Sequence, residues 1–109
     1  MLAQLLGSVN KERVLIYLFA RSRGYAREIA RFFSAPLFPI QNAMEKLETA
    51  GILVSRTIGN TREYEFNPRY AARTEVGALI DRALSLYPAT LRDELLLVRS
   101  RPRRKGKPL

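Results

Sequence analysis

The feature that most restricts the fold is a three-residue break between two segments whose apolar residues follow helical spacing. The break, Ser34 to Pro36, is long enough for a tight turn. Pro36 pushes the residue before it out of the α region, so the second helix cannot begin earlier. Pro39 then falls in the first turn of that helix, where its missing N–H is harmless. The sequence therefore predicts a short helix over Tyr25 to Phe33, a tight turn, and a second helix that ends at Gly51.

Apolar residues at helical spacing indicate which side of each helix is buried. The inward set is Ile29, Ala30 and Phe33 in the first helix and Ile40, Met44 and Leu47 in the second. The outward set is Arg27, Glu28 and Arg31 in the first helix and Gln41, Asn42 and Glu45 in the second, with Lys46 at its edge.

An earlier helix is predicted over Val9 to Ser22, with Ser8 as its N-cap and Gly24 as its end. Its stretch "VLIYLFA" is apolar nearly all round, which means burial on two sides. We therefore expect this helix to contact both its own core and a second body.

Two strands are predicted within "ILVSRTIGNTREYEF", joined by a two-residue turn at Gly59-Asn60. Such a turn sets the cross-strand pairs Arg56 with Glu63, Ser55 with Tyr64, and Leu53 with Phe66. Opposed residues share a face, so Leu53, Tyr64 and Phe66 line the core side.

A long helix is expected over Ala72 to Tyr87, and a shorter one over Ala89 to Val98. The apolar stripe of the long helix is Val76, Leu79, Ile80, Ala83, Leu84 and Tyr87. It is first of all a packing face. Together with "VLIYLFA", it predicts a two-fold dimer built from the first and last helices.

Positive charge is concentrated at one end of the chain. The net charge is +9, yet "RSRPRRKGK" holds six of the 19 basic residues and leaves 13 basic against ten acidic side chains elsewhere. This balance favours a polyanionic partner, either nucleic acid or anionic lipid. The alternative is a tail that merely aids solubility.

The composition excludes several classes of function. There is no cysteine and no histidine, which removes disulfides, thiolate chemistry, most transition-metal sites and histidine acid–base catalysis. The acidic residues are scattered among arginines, and no glycine-rich phosphate loop or nucleophile motif occurs. We expect no catalysis, no metal and no cofactor. The chain also lacks a signal peptide and a run of about 20 apolar residues, so we expect a cytoplasmic, nucleoid-associated protein with no membrane partner.

The order helix, short helix, tight turn, helix and hairpin is that of a winged helix-turn-helix domain. The stretches "AREIA" and "AMEKLETAGILVSR" resemble bacterial and archaeal winged-helix transcription regulators of the ArsR/MarR type, and "GNTREYEFNPRY" resembles their wing. The resemblance covers about Leu5 to Tyr70. Its departures are Ser34 at a turn position often held by glycine, and Leu37 and Phe38 in place of small polar residues. ArsR metal sensors bind metal through cysteine or histidine, so metal sensing is not implied here.

The resemblance implies a mainly α fold with a small β-hairpin wing (α+β). It implies a DNA-binding domain, which we expect over residues 1–70. Beyond the resemblance, the apolar stripe predicts C-terminal dimerisation helices over 71–98, and the basic run with its prolines and glycine predicts a disordered tail over 99–109. The recognition helix would be residues 36–50, in the major groove of double-stranded DNA, and the wing would be residues 52–67, on the adjacent backbone or minor groove. Arg27 and Arg31 would contact the DNA backbone.

Individual side chains on these elements suit particular DNA contacts. Gln41 and Asn42 suit adenine N6 and N7, and Lys46 suits a phosphate, although the same residues also fit an ordinary solvated helix face. Glu45 either accepts a hydrogen bond from cytosine N4 or repels nearby phosphates. On the wing, Arg62 suits a narrow minor groove, whereas Arg56 is expected to pair with Glu63. In the tail, the expected phosphate contacts are Arg101, Arg103, Arg104 and Lys105.

Leu37 and Phe38 leave three interpretations open. They pack under the wing or beneath the first helix, which is favoured; or they touch thymine methyl groups; or they form an exposed patch that binds another protein. The overall prediction is a homodimeric DNA-binding transcriptional regulator. The rivals are a protein-interaction module, which would depend on Leu37 and Phe38, and an RNA-binding accessory protein, which would depend on the tail.

Overall fold

The computed structural model describes residues 1–100, with side chains described to residue 96. This part of the chain forms helices and a three-stranded antiparallel sheet, the α+β class predicted from the sequence. The elements are α1 (Leu2–Leu6), α2 (Val9–Arg21), β1 (Arg23–Tyr25), α3 (Ala26–Phe32), α4 (Leu37–Thr49), β2 (Leu53–Ile58), β3 (Thr61–Phe66), α5 (Arg73–Ser85) and α6 (Ala89–Ser100).

Helix α2 begins as predicted but ends differently. The Ser8 hydroxyl accepts a 3.0 Å hydrogen bond from the Lys11 N–H, which confirms the N-cap. At the other end Ser22, not Gly24, adopts the positive φ of 78°, and its N–H donates to the Leu18 carbonyl. Gly24 lies instead in β1, where a Cβ would stand 2.9 Å from Cε1 of Tyr17. The glycine is therefore needed for close packing, and the prediction that it ends the helix was wrong.

The sheet contains one strand more than predicted. Strands β2 and β3 pair in the predicted register, with Arg56 opposite Glu63, Ser55 opposite Tyr64 and Leu53 opposite Phe66. Strand β1 then adds to the other side of β3 and places Gly24 opposite Tyr64. The hairpin is thus joined directly to the segment that leads into α3.

Helix α2 is the centre of the core. Its residues Val14 to Leu18 and Ala20 are buried, which confirms burial on more than one side. Helix α4 packs against it, and so do α5 and α6 of the same chain. The expected second body is therefore supplied at least in part by the chain's own C-terminal helices.

The stripe on α5 serves mainly this internal contact. Ile80, Ala83 and Leu84 are buried in the single chain, and Val76 and Tyr87 are half-buried. Leu79 is 36% exposed and is the most accessible member of the stripe. In this conformation Ile80, Ala83 and Leu84 have no surface to offer a second copy, because the core of their own chain already covers them. Their burial does not support the part assigned to them in a dimer interface, which stays a prediction.

No helix within residues 1–100 has the length and hydropathy that crossing a bilayer would require.

Candidate nucleic-acid interface

Helix α4 presents one polar face to solvent. Ile40, Met44 and Leu47 are buried, as their spacing predicted, and Ala43 is buried as well. The outward residues Gln41, Asn42, Glu45 and Lys46 are all exposed. The exposed face of α4 is therefore the one predicted from the sequence. Its contacts with DNA remain a prediction.

Leu37 and Phe38, at the start of α4, differ in burial. Leu37 is half-buried and packs against the core, as favoured by the packing interpretation. Phe38 is 73% exposed, the largest exposed fraction among the large apolar side chains of the described residues. The packing interpretation is therefore wrong for Phe38, because the helix turns its side chain away from the core.

A groove of about 280 Å³ lies between the start of α3, the front of α4 and the wing. Arg27 contributes from α3, Gln41 and Glu45 from α4, and Arg62 from β3. Three of the side chains predicted to contact DNA, two arginines and one carboxamide, thus border one concave surface. The remaining lining residues are Tyr25, Ala26, Leu37, Asn60, Thr61 and Tyr64.

The structure does not bring Arg31 to this groove. Arg31 borders a separate shallow recess with Tyr17, Arg21 and Glu94, on the side of α3 that faces α6. Asn42 and Lys46 are exposed on α4 but do not line the groove. Of the two α3 arginines, only Arg27 lies beside the outward face of α4.

Arg62 is tied to helix α4 through Ser55. Its Nη1 donates a 3.3 Å hydrogen bond to the Ser55 hydroxyl, and that hydroxyl donates a 2.7 Å bond to Oε2 of Glu48. This link was not predicted from the sequence, and the residue directly opposite Arg62 is Thr57. Diagonal neighbours across two strands lie within reach of long side chains, and that rule would have identified Ser55.

The other wing arginine, Arg56, forms the predicted pair with Glu63. Arg56 Nη2 lies 3.2 Å from Oε1 of Glu63, directly opposite on β3. On the other side of β3, Arg23 forms a longer pair of 3.7 Å with Glu65. Each carboxylate of β3 therefore has an arginine beside it, which partly neutralises it.

Tyr64 lines the groove and is nearly fully buried. Burial raises the pKa of its phenol, and the Glu48 carboxylate adds to the rise. The phenol therefore stays neutral at physiological pH and keeps its O–H for donation.

Local chemistry explains how α3 is placed beside the groove. The N–H of Tyr25 donates a 3.0 Å bond to Oε1 of Glu28, which fixes the first turn of α3. Ser34, with a φ of 52°, then reverses the chain into α4. The tail residues Arg101, Arg103, Arg104 and Lys105 lie outside the described residues.

No family model and no curated protein sequence matches the chain. Among solved structures, the chain is similar to the adhesin competence repressor (AdcR) from Streptococcus pyogenes, with a TM-score of 0.55 and 13% identity over 94% of this chain and 90% of that one. It is also similar to a mutant of Lactococcus lactis ZitR in the apo form, with a TM-score of 0.53 and 13% identity over 97% of this chain and 95% of that one. At this identity the likeness speaks for the fold alone. Together with the helix–turn–helix and hairpin described above, it establishes that the chain has a winged helix-turn-helix fold.

Proposed function

We propose that this protein is a homodimeric transcriptional regulator that binds double-stranded DNA sequence-specifically. Residues 36–50 enter the major groove, and residues 52–67 contact the adjacent backbone or minor groove. The observation that carries the proposal is the groove described above, where Arg27, Gln41 and Arg62 meet beside the exposed face of α4.

The exposed face of α4 suits base reading. The major groove is about 12 Å wide and admits one α-helix. Gln41 and Asn42 are exposed next to each other near the front of that helix, and carboxamides form paired hydrogen bonds with adenine N6 and N7. Lys46, one turn further on, is placed for a phosphate at the groove edge.

The two arginines of the groove suit the DNA backbone. Arg27 is exposed at the start of α3 and Arg62 is exposed near the tip of the wing, so both cations border the groove beside α4. Contacts to phosphates fix the orientation of a protein on the duplex without reading its sequence. Because the Ser55 hydroxyl holds Arg62, its guanidinium is oriented before the DNA arrives.

The homodimer rests on the apolar surface that the single chain leaves uncovered. Leu79 on α5 is 36% exposed and Leu86, just beyond that helix, is 57% exposed. A two-fold contact through this surface would bring two copies of α4 to one duplex, and a symmetric dimer reads two half-sites about one helical turn apart. Regulation of transcription is supported by the shared fold, since one similar structure is described as a repressor. Binding to DNA would place the protein in the cytoplasm, on the nucleoid.

One observation favours a second candidate, the protein-interaction module. Phe38 is an exposed aromatic side chain at the tip of α4, and aromatic residues are enriched where proteins bind each other. The third candidate, RNA binding, depends on the basic tail, which lies outside the described residues.

Selection from a pool of random duplexes tests the proposed function. The full-length protein should enrich a motif with two related half-sites, and single-stranded RNA of equal length should compete poorly. The control protein is the Gln41→Ala/Asn42→Ala double variant, which should enrich no motif or a less defined one. A wild-type protein that enriches no motif would contradict sequence-specific DNA binding, and preferred binding of RNA would favour the RNA-binding candidate.

A further inference from the structure

The side chain of Phe38 lies on the same face of α4 as the two carboxamides. Gln41 follows it by three positions and Asn42 by four, and residues at these separations are neighbours on a helix surface. Single exposed apolar side chains are common on protein surfaces. What distinguishes Phe38 is its place, in the first turn of the helix proposed to enter the major groove.

The front of α4 is poorly suited to a phosphate. The first four N–H groups of a helix have no partner within it and ordinarily favour an anion there. In α4 these four positions are Pro36, Leu37, Phe38 and Pro39, and the two prolines have no N–H to donate. None of these side chains is polar, so this end of the helix offers an apolar surface in place of a phosphate site.

The major-groove edge of the base pairs offers one apolar group, the 5-methyl group of thymine. We propose that Phe38 contacts this methyl group and is a specificity-determining residue for thymine. The inference rests on the proposed DNA-binding function and deepens it. An exposed phenyl ring matches a methyl group because both lose water contact when they meet, whereas the other bases carry no methyl group at this edge.

The spacing along the helix gives the position of that thymine. Phe38 and Gln41 are three residues apart, which is about 4.5 Å along a helix axis. Successive base pairs are about 3.4 Å apart. The thymine read by Phe38 therefore lies one or two base pairs from the adenine read by Gln41 or Asn42, and the preferred half-site is rich in A·T pairs at that point.

Replacing thymine by deoxyuridine tests the inference, because it removes only the methyl group. Each thymine of the selected site is replaced singly, and the affinity of the full-length protein is measured. We expect one position in each half-site at which the wild type loses about fourfold, the amount for one methyl-sized apolar group. Replacement at thymines outside the half-sites should change nothing.

The Phe38→Ala variant completes the test. It should bind the thymine site at least fourfold more weakly than the wild type, and its affinity should not change when the critical thymine becomes deoxyuridine. Phe38→Leu, which keeps an apolar side chain, should retain part of the preference for thymine. Because Phe38 is exposed, all three proteins should unfold at similar temperatures.

The outcomes separate this inference from the proposed function. If the wild type selects a site, but every deoxyuridine replacement is neutral, the thymine contact is wrong and sequence-specific binding stands. If Phe38→Ala weakens binding equally to thymine and deoxyuridine sites, the ring makes a contact that does not read the methyl group, and the inference is again wrong. If Phe38→Ala leaves DNA binding unchanged, the inference is overturned.

Discussion

The phenol of Tyr87 donates a 2.6 Å hydrogen bond to Oε2 of Glu12, and the two residues are 75 positions apart in the chain. The other oxygen of the same carboxylate accepts a 2.6 Å bond from the N–H of Ala3. One side chain, 14% exposed, therefore joins α1, the start of α2 and the segment after α5. The C-terminal helices are held to the core by this polar contact as well as by apolar packing.

Replacing Tyr87 by phenylalanine should lower the free energy of unfolding. The substitution keeps the ring and removes one hydrogen bond to a carboxylate, which costs about 1.5–3 kcal/mol. Urea unfolding at pH 7 measures the loss. Tyr70→Phe is the matched control, because Tyr70 is half-buried and its phenol has no hydrogen-bond partner among the described residues. Equal effects of the two substitutions would contradict the role given to the contact with Glu12.

The same pair predicts how stability depends on pH. Burial raises the pKa of the Tyr87 phenol above its ordinary value of about 10, and the hydrogen bond to Glu12 adds to the rise. Above about pH 10 the unfolded chain releases this proton while the folded chain keeps it, so stability is lost as pH rises further. The wild type should lose more stability in this range than Tyr87→Phe, and parallel curves would contradict this assignment. Burial also raises the pKa of Tyr17 and Tyr64, so some loss should remain in the variant.

Gly24→Ala should destabilise the fold. The new Cβ would meet Cε1 of Tyr17 at 2.9 Å, and Tyr17 is buried and hydrogen-bonded to Arg21. Overpacking of this kind costs about 1–3 kcal/mol. Gly77→Ala is the control, because nothing lies within 4 Å of a Cβ there and the residue is helical, so we expect a gain of about 0.5–1 kcal/mol. Thermal unfolding shows whether each variant is more or less stable than the wild type. A stabilised Gly24→Ala would show that Tyr17 moves freely.

Specificity and affinity should depend on different residues of α4. Gln41→Ala and Asn42→Ala should each lose about 1–3 kcal/mol on the selected DNA site, with little change on random DNA, because base contacts exist only on the right sequence. Lys46→Ala should weaken binding to the selected site and to random DNA alike, because phosphates are present in every sequence. Titrations of both duplexes at one salt concentration measure the difference. Equal losses on both sequences for Gln41→Ala and Asn42→Ala would show that these side chains do not read bases.

The proposed dimer should be sensitive to charge at Leu79. Leu79→Asp would bury an unpaired carboxylate in the interface, which costs several kcal/mol. Sedimentation at micromolar concentration should show a wild-type dimer and a Leu79→Asp monomer. Thr74→Asp places the same charge on an exposed position of α5 outside the stripe and should leave the dimer intact. A wild type that sediments only as a monomer would contradict the homodimer, and a dimer that survives Leu79→Asp would place the interface elsewhere.

The basic tail should add affinity without sequence preference. Ending the chain at Val98 removes Arg101, Arg103, Arg104 and Lys105, and each phosphate that is no longer neutralised reduces the slope of log K against log[salt] by about 0.9. The truncated protein should bind specific and random DNA more weakly and prefer the same sequence. The truncation also removes Arg99 and Lys107, so a full-length variant with all six basic residues changed to glutamine should behave alike, which separates charge from length. An unchanged slope would place the tail on protein or RNA, or leave it a role in solubility.

Local signals were enough to predict the helix–turn–helix and the hairpin. Pro36 and Gly51 bound α4 because a proline limits the residue before it and a glycine readily takes a positive φ, here 86°. Gly59-Asn60 fixes the register of the wing because a two-residue turn leaves one pairing. These features depend on a few neighbouring residues, so the sequence alone reveals them.

Features that depend on distant partners were missed. The three residues of β1 are too few to show an alternating pattern, and their partner β3 lies beyond two helices in the chain. Without that strand, Gly24 was interpreted as a helix end. The difference in burial between Leu37 and Phe38 likewise depends on how α4 packs against its neighbours. The burial of Ile80 depends on the packing of α5 against α2. The DNA contacts and the dimer remain predictions.

Strand β1 has a mechanical consequence for the wing. It pairs with Glu63, Tyr64 and Glu65, so the inner part of β3 is hydrogen-bonded on both sides. Among the described strands, Thr61 and Arg62 pair only with β2. A two-stranded ribbon is weak by itself, while a third strand stiffens it. We therefore expect the base of the wing to move together with α3, and the outer part to bend more easily. In the proposed complex, we expect a duplex with an unusually wide or narrow groove to displace Arg62 and the tip while α4 keeps its orientation, so the tip would be the part that adapts to DNA shape.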